Sequence, residues 1–168
     1  MVSNIAKDMT IRIVSHTLML LLLFVLQSMV FSRLRIMSVA PLIMPMAVIG
    51  VGLFEGATWG GGFGIAAGVL CDLSYSETSV FFTVLLTILG MAVGLLSEYV
   101  LTKGLFSYLL CCLLSLVIIA FLQMFGFLVF QRVDIQSLLQ VGIIQTLYSL
   151  IFSVPTYYLT KIVSRKVQ

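Results

Sequence analysis

The sequence predicts an all-α integral membrane protein, a compact bundle of about six transmembrane helices joined by short loops. Three observations lead there. Of the 168 residues, 61% are hydrophobic and 9% are charged, against about 25% charged in an ordinary soluble domain. The charges punctuate long apolar runs, and no polar stretch between them is long enough to form a separate domain. Nine Lys and Arg with six Asp and Glu cannot clothe a water-facing surface of this size, so lipid is the natural solvent.

The runs divide the chain, read as one domain over 1–168, into spans at about 13–31, 39–53, 57–73, 80–99, 105–130 and 138–159. The first follows Lys7 and Arg12, lacks a small-x-small cleavage pattern and stops at Arg33 and Arg35. It reads as an uncleaved span. Spans two and three are short, with Pro41 and Pro45 early in the second and little beyond Phe54, Glu55 and Gly56 between them. Joined, residues 39–73 would make a helix of about 52 Å, which overshoots a core of about 30 Å. Two short crossings are therefore expected. Spans four, five and six meet the length requirement, and Pro155 should kink the sixth near its end.

Basic residues set the orientation. Six spans place Lys7, Arg12, Lys103, Lys161, Arg165 and Lys166 on one side, and Arg33, Arg35 and Arg132 on the other. That bias puts both termini in the cytoplasm. Five spans split the same charges equally well, so only length decides the count. Trp59, Tyr75, Tyr99, Tyr108, Tyr157 and Tyr158 fall near span ends, where half-wet rings are favoured. Lys161, Arg165 and Lys166 suit anionic lipid head groups, at about 1 kcal/mol each. A net charge of +3 with scattered basic residues argues against nucleic acid as a partner.

One pattern stands above hydropathy. Gly52, Gly56, Gly60, Gly64 and Gly68 recur at every fourth residue and Asp72 completes the series. Small residues at this spacing let helix backbones approach closely in lipid, where no hydrophobic drive brings them together. Gly60, Gly64 and Gly68 thus form a groove for another helix, either of this chain or of a partner. Gly90 and Gly94 form a second such pair and a possible mate. Asp72 is the candidate polar site: it caps the following turn, pairs with Arg33, Arg35 or Arg132, or serves transport, with a structural role favoured. Glu55, Glu77 and Glu98 fall at predicted boundaries, where charge costs little. His16 suits helix packing or an interface, with proton relay as the sharper alternative. Cys71, Cys111 and Cys112 lack metal-ligand spacing and read as small buried hydrophobes. No catalytic motif occurs, so the sequence implies neither an enzyme nor a cofactor or metal.

The run Gly64-x-x-x-Gly68-Val69-Leu70-Cys71-Asp72-Leu73, leading into a long span four, resembles the rod shape-determining protein MreD family. Chain length, hydropathy and the short basic tail are similar too. The sequence departs from that pattern at Ser76 and Val80, where family members often carry glycine. The resemblance implies a non-catalytic scaffold in the bacterial inner membrane, involved in regulation of cell shape. Its implied partners are a bitopic MreC-like protein, the MreB filament and the wall-synthesis polymerase and transpeptidase. It makes the Gly60, Gly64 and Gly68 face the first candidate for the partner's helix. The alternative is the substrate-binding component of an energy-coupling-factor vitamin transporter, also a six-helix protein. Asp72, Glu77, Gln123 and Gln145 are scattered along the chain, however, whereas a ligand pocket needs convergent polar groups.

Overall fold

A computed structural model describes residues 2–31, 42–74, 80–99, 104–131 and 135–167. The described residues are all-helical, with six α-helices: α1 (Val2–Val25), α2 (Met44–Glu55), α3 (Ala57–Ser74), α4 (Phe81–Tyr99), α5 (Leu105–Gln131) and α6 (Ile135–Val167). A π-helical turn, Leu26–Phe31, extends α1. Arg33, Arg35, Pro41, Tyr75, Ser76, Glu77, Lys103 and Arg132 lie outside the described residues.

Among the described residues, three helices are long and apolar enough to cross a membrane: Met9–Met29, Phe81–Tyr99 and Leu105–Met124. α2 has 12 residues and is about 18 Å long, too short to span alone. It begins at Met44 with Pro45 in its first turn, where the missing N–H is no loss. α6 runs for 33 residues, well past the expected 138–159, and Pro155 sits inside it. α3 is diluted by glycine.

The short α2 is the centre of the bundle. Every residue from Met44 to Phe54 is buried, as befits a helix that is apolar all round. Two apolar clusters flank it. Met46, Ile49 and Leu53 pack with Leu85, Leu89, Tyr108, Cys112 and Ile119. Met44, Ala47, Val48 and Val51 pack with Leu20, Leu23, Phe63, Ala67 and Leu86. Tyr108 is 0% exposed and Tyr157 2%, so these two rings are core residues and not the half-wet anchors that their positions near span ends predict. Tyr108 Oη donates to the Met46 carbonyl at 3.1 Å, which lets a phenol sit in an apolar core.

A buried helix must still satisfy its terminal backbone groups. At the start of α2, Gln27 Oε1 accepts from the N–H groups of Ile43 (3.1 Å) and Met44 (3.0 Å). Ser149 Oγ accepts from Leu42 N–H at 3.0 Å. At its end Gly56 N–H donates to Gly52 O at 3.0 Å. Gly56 alone separates α2 from α3, at φ +93°, a conformation that favours glycine.

The outer surface is apolar, and a few polar side chains lie among the buried residues. His16, Ser115, Ser149, Ser153, Thr156, Thr160 and Ser164 are buried, whereas Leu18, Leu22, Ile88, Phe106, Phe121 and Ile151 stand exposed. The five buried serines and threonines of α6, Ser149, Ser153, Thr156, Thr160 and Ser164, recur every three or four residues, which puts them on one helix face. Ser153, Thr156 and Thr160 donate back to carbonyls of their own helix. That leaves a small, self-satisfied surface, and Thr160 packs where a Cβ on Gly50 would lie only 2.8 Å from its Oγ1.

Candidate functional site

The glycine series is a seam between α2, α3 and α4 of one chain. A Cβ on Gly60 would lie 2.4 Å from Gly90 O and 2.8 Å from Gly52 Cα. On Gly64 it would meet Leu86 O at 2.6 Å, and on Gly68 it would meet Thr83 Cα at 2.2 Å. Gly90 and Gly94 face back in the same way, against Gly60 O at 2.3 Å and Ala57 Cα at 2.4 Å. Backbone touches backbone along the whole length. Of the two occupants expected for the face of Gly60, Gly64 and Gly68, a helix of this chain or of a partner, α4 of the same chain fills it, with Gly90 and Gly94 as the mate. Gly62, on the other side of α3, has nothing within 4 Å.

Asp72 closes one end of the seam. Its carboxylate accepts from Phe82 N–H (3.0 Å), Thr83 N–H (3.0 Å) and Thr83 Oγ1 (2.6 Å). These two amides are among the unpaired donors of the first turn of α4, so Asp72 caps that helix from the last turn of α3. Glu98 makes the reciprocal contact at the opposite end, where Ala57 N–H donates to its Oε1 at 3.4 Å. Asp72→Ala is expected to lower stability by about 1–2 kcal/mol and Asp72→Asn by less, read as the thermal midpoint of the purified protein. Equal midpoints for Asp72→Ala and the parent would remove the cap from the account.

A polar node lies at the end of the bundle where α1 starts and α2 and α6 finish. Glu55 is its hub, with a side chain 1% exposed. Arg12 Nη2 donates to Oε2 at 2.8 Å, and Ser164 Oγ donates to Oε1 at 2.7 Å. Arg12 also lies over the Trp59 ring, 5.8 Å from its centroid, an added stabilisation for a cation. His16, 0% exposed, stacks at a tilt on Phe63 with centroids 5.5 Å apart. Its Nε2 is 3.7 Å from Glu55 Oε1. Arg12 Nε and His16 Nε2 are buried without a hydrogen-bond partner.

Glu55 does stand at a helix boundary, the last residue of α2, but charge is not cheap there. It is withdrawn from solvent and held by two donors, as a buried carboxylate must be. Arg12 and His16 stand four apart and so share one face of α1, a spacing visible in the sequence. Their meeting with Glu55 and Ser164 is a tertiary event across 43 and 109 positions. The three cysteines are free and buried, and among the described residues no group of three or more His, Cys, Asp or Glu side chains could hold a metal ion.

Comparison with family models, with curated proteins and with solved structures returns no match.

Proposed function

We propose that this chain is a multi-pass, non-catalytic scaffold of the bacterial inner membrane, with both termini cytoplasmic. It acts in cell elongation with an MreC-like bitopic protein, near the MreB filament and the wall-synthesis enzymes. The observation that carries the membrane part of this reading is the apolar outer surface: Leu18, Leu22, Ile88, Phe121, Ile151 and other large hydrophobic side chains stand exposed. Such a surface belongs in lipid. The cellular role rests on the resemblance of residues 64–73, the segment built here as the α3–α4 seam with its Asp72 cap.

The mechanism is mechanical. Backbone-to-backbone packing of α2, α3 and α4 makes a stiff unit, because interfaces without side-chain slack have few alternative arrangements. Since α4 occupies the glycine face, a partner's membrane helix meets an outward apolar face. Affinity capture of the tagged protein from its native membrane in mild detergent tests the reading. Recovery of the MreC-like and wall-synthesis proteins supports it. Recovery of a membrane coupling subunit with paired ATPases overturns it in favour of vitamin transport. Recovery of neither, from membranes that contain the bitopic protein, also counts against the scaffold.

A further inference from the structure

His16 has one nitrogen engaged and one idle. Its Nδ1 lies 3.0 Å from the carbonyl oxygen of Arg12, one helical turn earlier. A carbonyl only accepts, so Nδ1 carries the proton of that bond. In the neutral ring Nε2 is then an acceptor. It stands 3.7 Å from Glu55 Oε1, which is also an acceptor and already takes the Ser164 hydroxyl. Two acceptors thus face each other in a buried setting, and Nε2 has no partner. Burial without a partner is costly.

We propose that the space between His16 Nε2 and Glu55 Oε1 is a proton-binding site, and that the bound proton fastens α1 to the α2–α6 interface. Hydronium supplies the proton: one of its O–H bonds breaks, water is released, an N–H bond forms at the Nε2 lone pair, and no bond of the protein breaks. The node passes from a neutral Arg12–Glu55 pair to a single positive charge shared over Arg12 and His16, with Glu55 between them. A movement of about 1 Å brings Nε2 to the distance of a charge-assisted hydrogen bond.

An added proton draws the two atoms together, whereas a bridging water holds them further apart, and nitrogen spectra separate the two. Two hydrogen bonds of about 2.8 Å from one water hold their acceptors about 4.4 Å apart, more than the 3.7 Å found. The groups around the ring come from four helices. α1 supplies Arg12, α2 Glu55, α3 the uncharged rings of Trp59 and Phe63, and α6 Ser164. Lys161 of α6 is engaged elsewhere, its ammonium 5.3 Å from the centroid of the Tyr157 ring. This inference is independent of the scaffold reading, since it concerns chemistry inside one chain.

The chain contains one histidine and one tryptophan, and their ring centroids are 6.4 Å apart. Both are therefore unambiguous reporters. Nitrogen NMR of the histidine-labelled full chain in nanodiscs, from about pH 5 to pH 9, is expected to show Nδ1 protonated throughout. Nε2 gains a proton as the pH falls, with an Nε2–H signal that is hydrogen-bonded and protected from exchange. Glu55→Gln loses that protected signal. Trp59 emission is quenched in the same step, because imidazolium quenches indole more than imidazole does, and His16→Gln removes the pH dependence. An Nε2 that stays unprotonated but hydrogen-bonded would assign the donor to water and overturn the proposal. An unprotonated Nδ1, or a Trp59 profile unchanged in His16→Gln, would overturn it too. The parent spectra decide the matter even if Glu55→Gln does not fold.

Discussion

Gly60→Leu is expected to keep α3 from docking and to leave little folded protein, while Gly62→Leu, two residues away, is expected to fold like the parent. At Gly60 the new side chain would enter where Gly90 O and Gly52 Cα stand 2.4 and 2.8 Å from the Cβ position. Both obstacles are backbone, so neither can rotate aside, and two helices would have to move. Overpacking a core commonly costs about 1–3 kcal/mol, and a wedge between three backbones belongs at or above the top of that range. At Gly62 nothing lies within 4 Å, and leucine gains about 0.8–1 kcal/mol of helix propensity over glycine. Fluorescence-detected size exclusion of the two variants in detergent, followed by their thermal midpoints, makes the comparison. Equal behaviour of the pair would mean that the seam is not built as described. If Gly60→Leu folded normally and lost only a partner, the face would be external after all.

The second large effect concerns the buried ion pair. Arg12→Met leaves the Glu55 carboxylate in the bundle interior with Ser164 as its remaining donor. Removing one partner from a buried pair costs about 3–5 kcal/mol. The lower end is expected here, because the Arg12 side chain is 30% exposed and water reaches part of it. The double variant Arg12→Met/Glu55→Met removes the charge along with its partner and should recover most of the loss, since apolar replacements for buried pairs are often neutral. The measurement is a double-mutant cycle on unfolding midpoints of the purified protein. Simple additivity of the two single changes would show that Arg12 and Glu55 are not coupled.

Several features of this arrangement were legible in the residues. The four-residue glycine period and the second pair at Gly90 and Gly94 are visible as strings of letters, because helix packing in close contact needs small side chains at that period. Asp72 stood out as a carboxylate at the end of an apolar run. Glu55 did not, because a charged residue beside a glycine turn looks the same whether the turn faces water or is roofed by α1 and α6. Tyr108 and Tyr157 misled for a related reason: nearness to a span end says nothing about which way a ring turns. The helix α6 continues beyond the apolar run that ends near 159, through Lys161, Arg165 and Lys166, because charges end a hydrophobic run without ending a helix.

The division of labour follows from the range of the forces involved. Composition and apolar run length determined that the chain is helical and suited to lipid, because those properties are sums over local residues. The glycine period determined that some backbone would approach α3 closely. Which backbone fills the groove, and that α2 lies at the centre with its ends capped by Gln27, Ser149 and Gly56, was decided only by the tertiary structure. So was the node of Arg12, His16, Glu55 and Ser164. Each of these depends on side chains brought together from distant parts of the chain, and a buried charge or unpaired amide selects its partner by position in space and not by position in sequence.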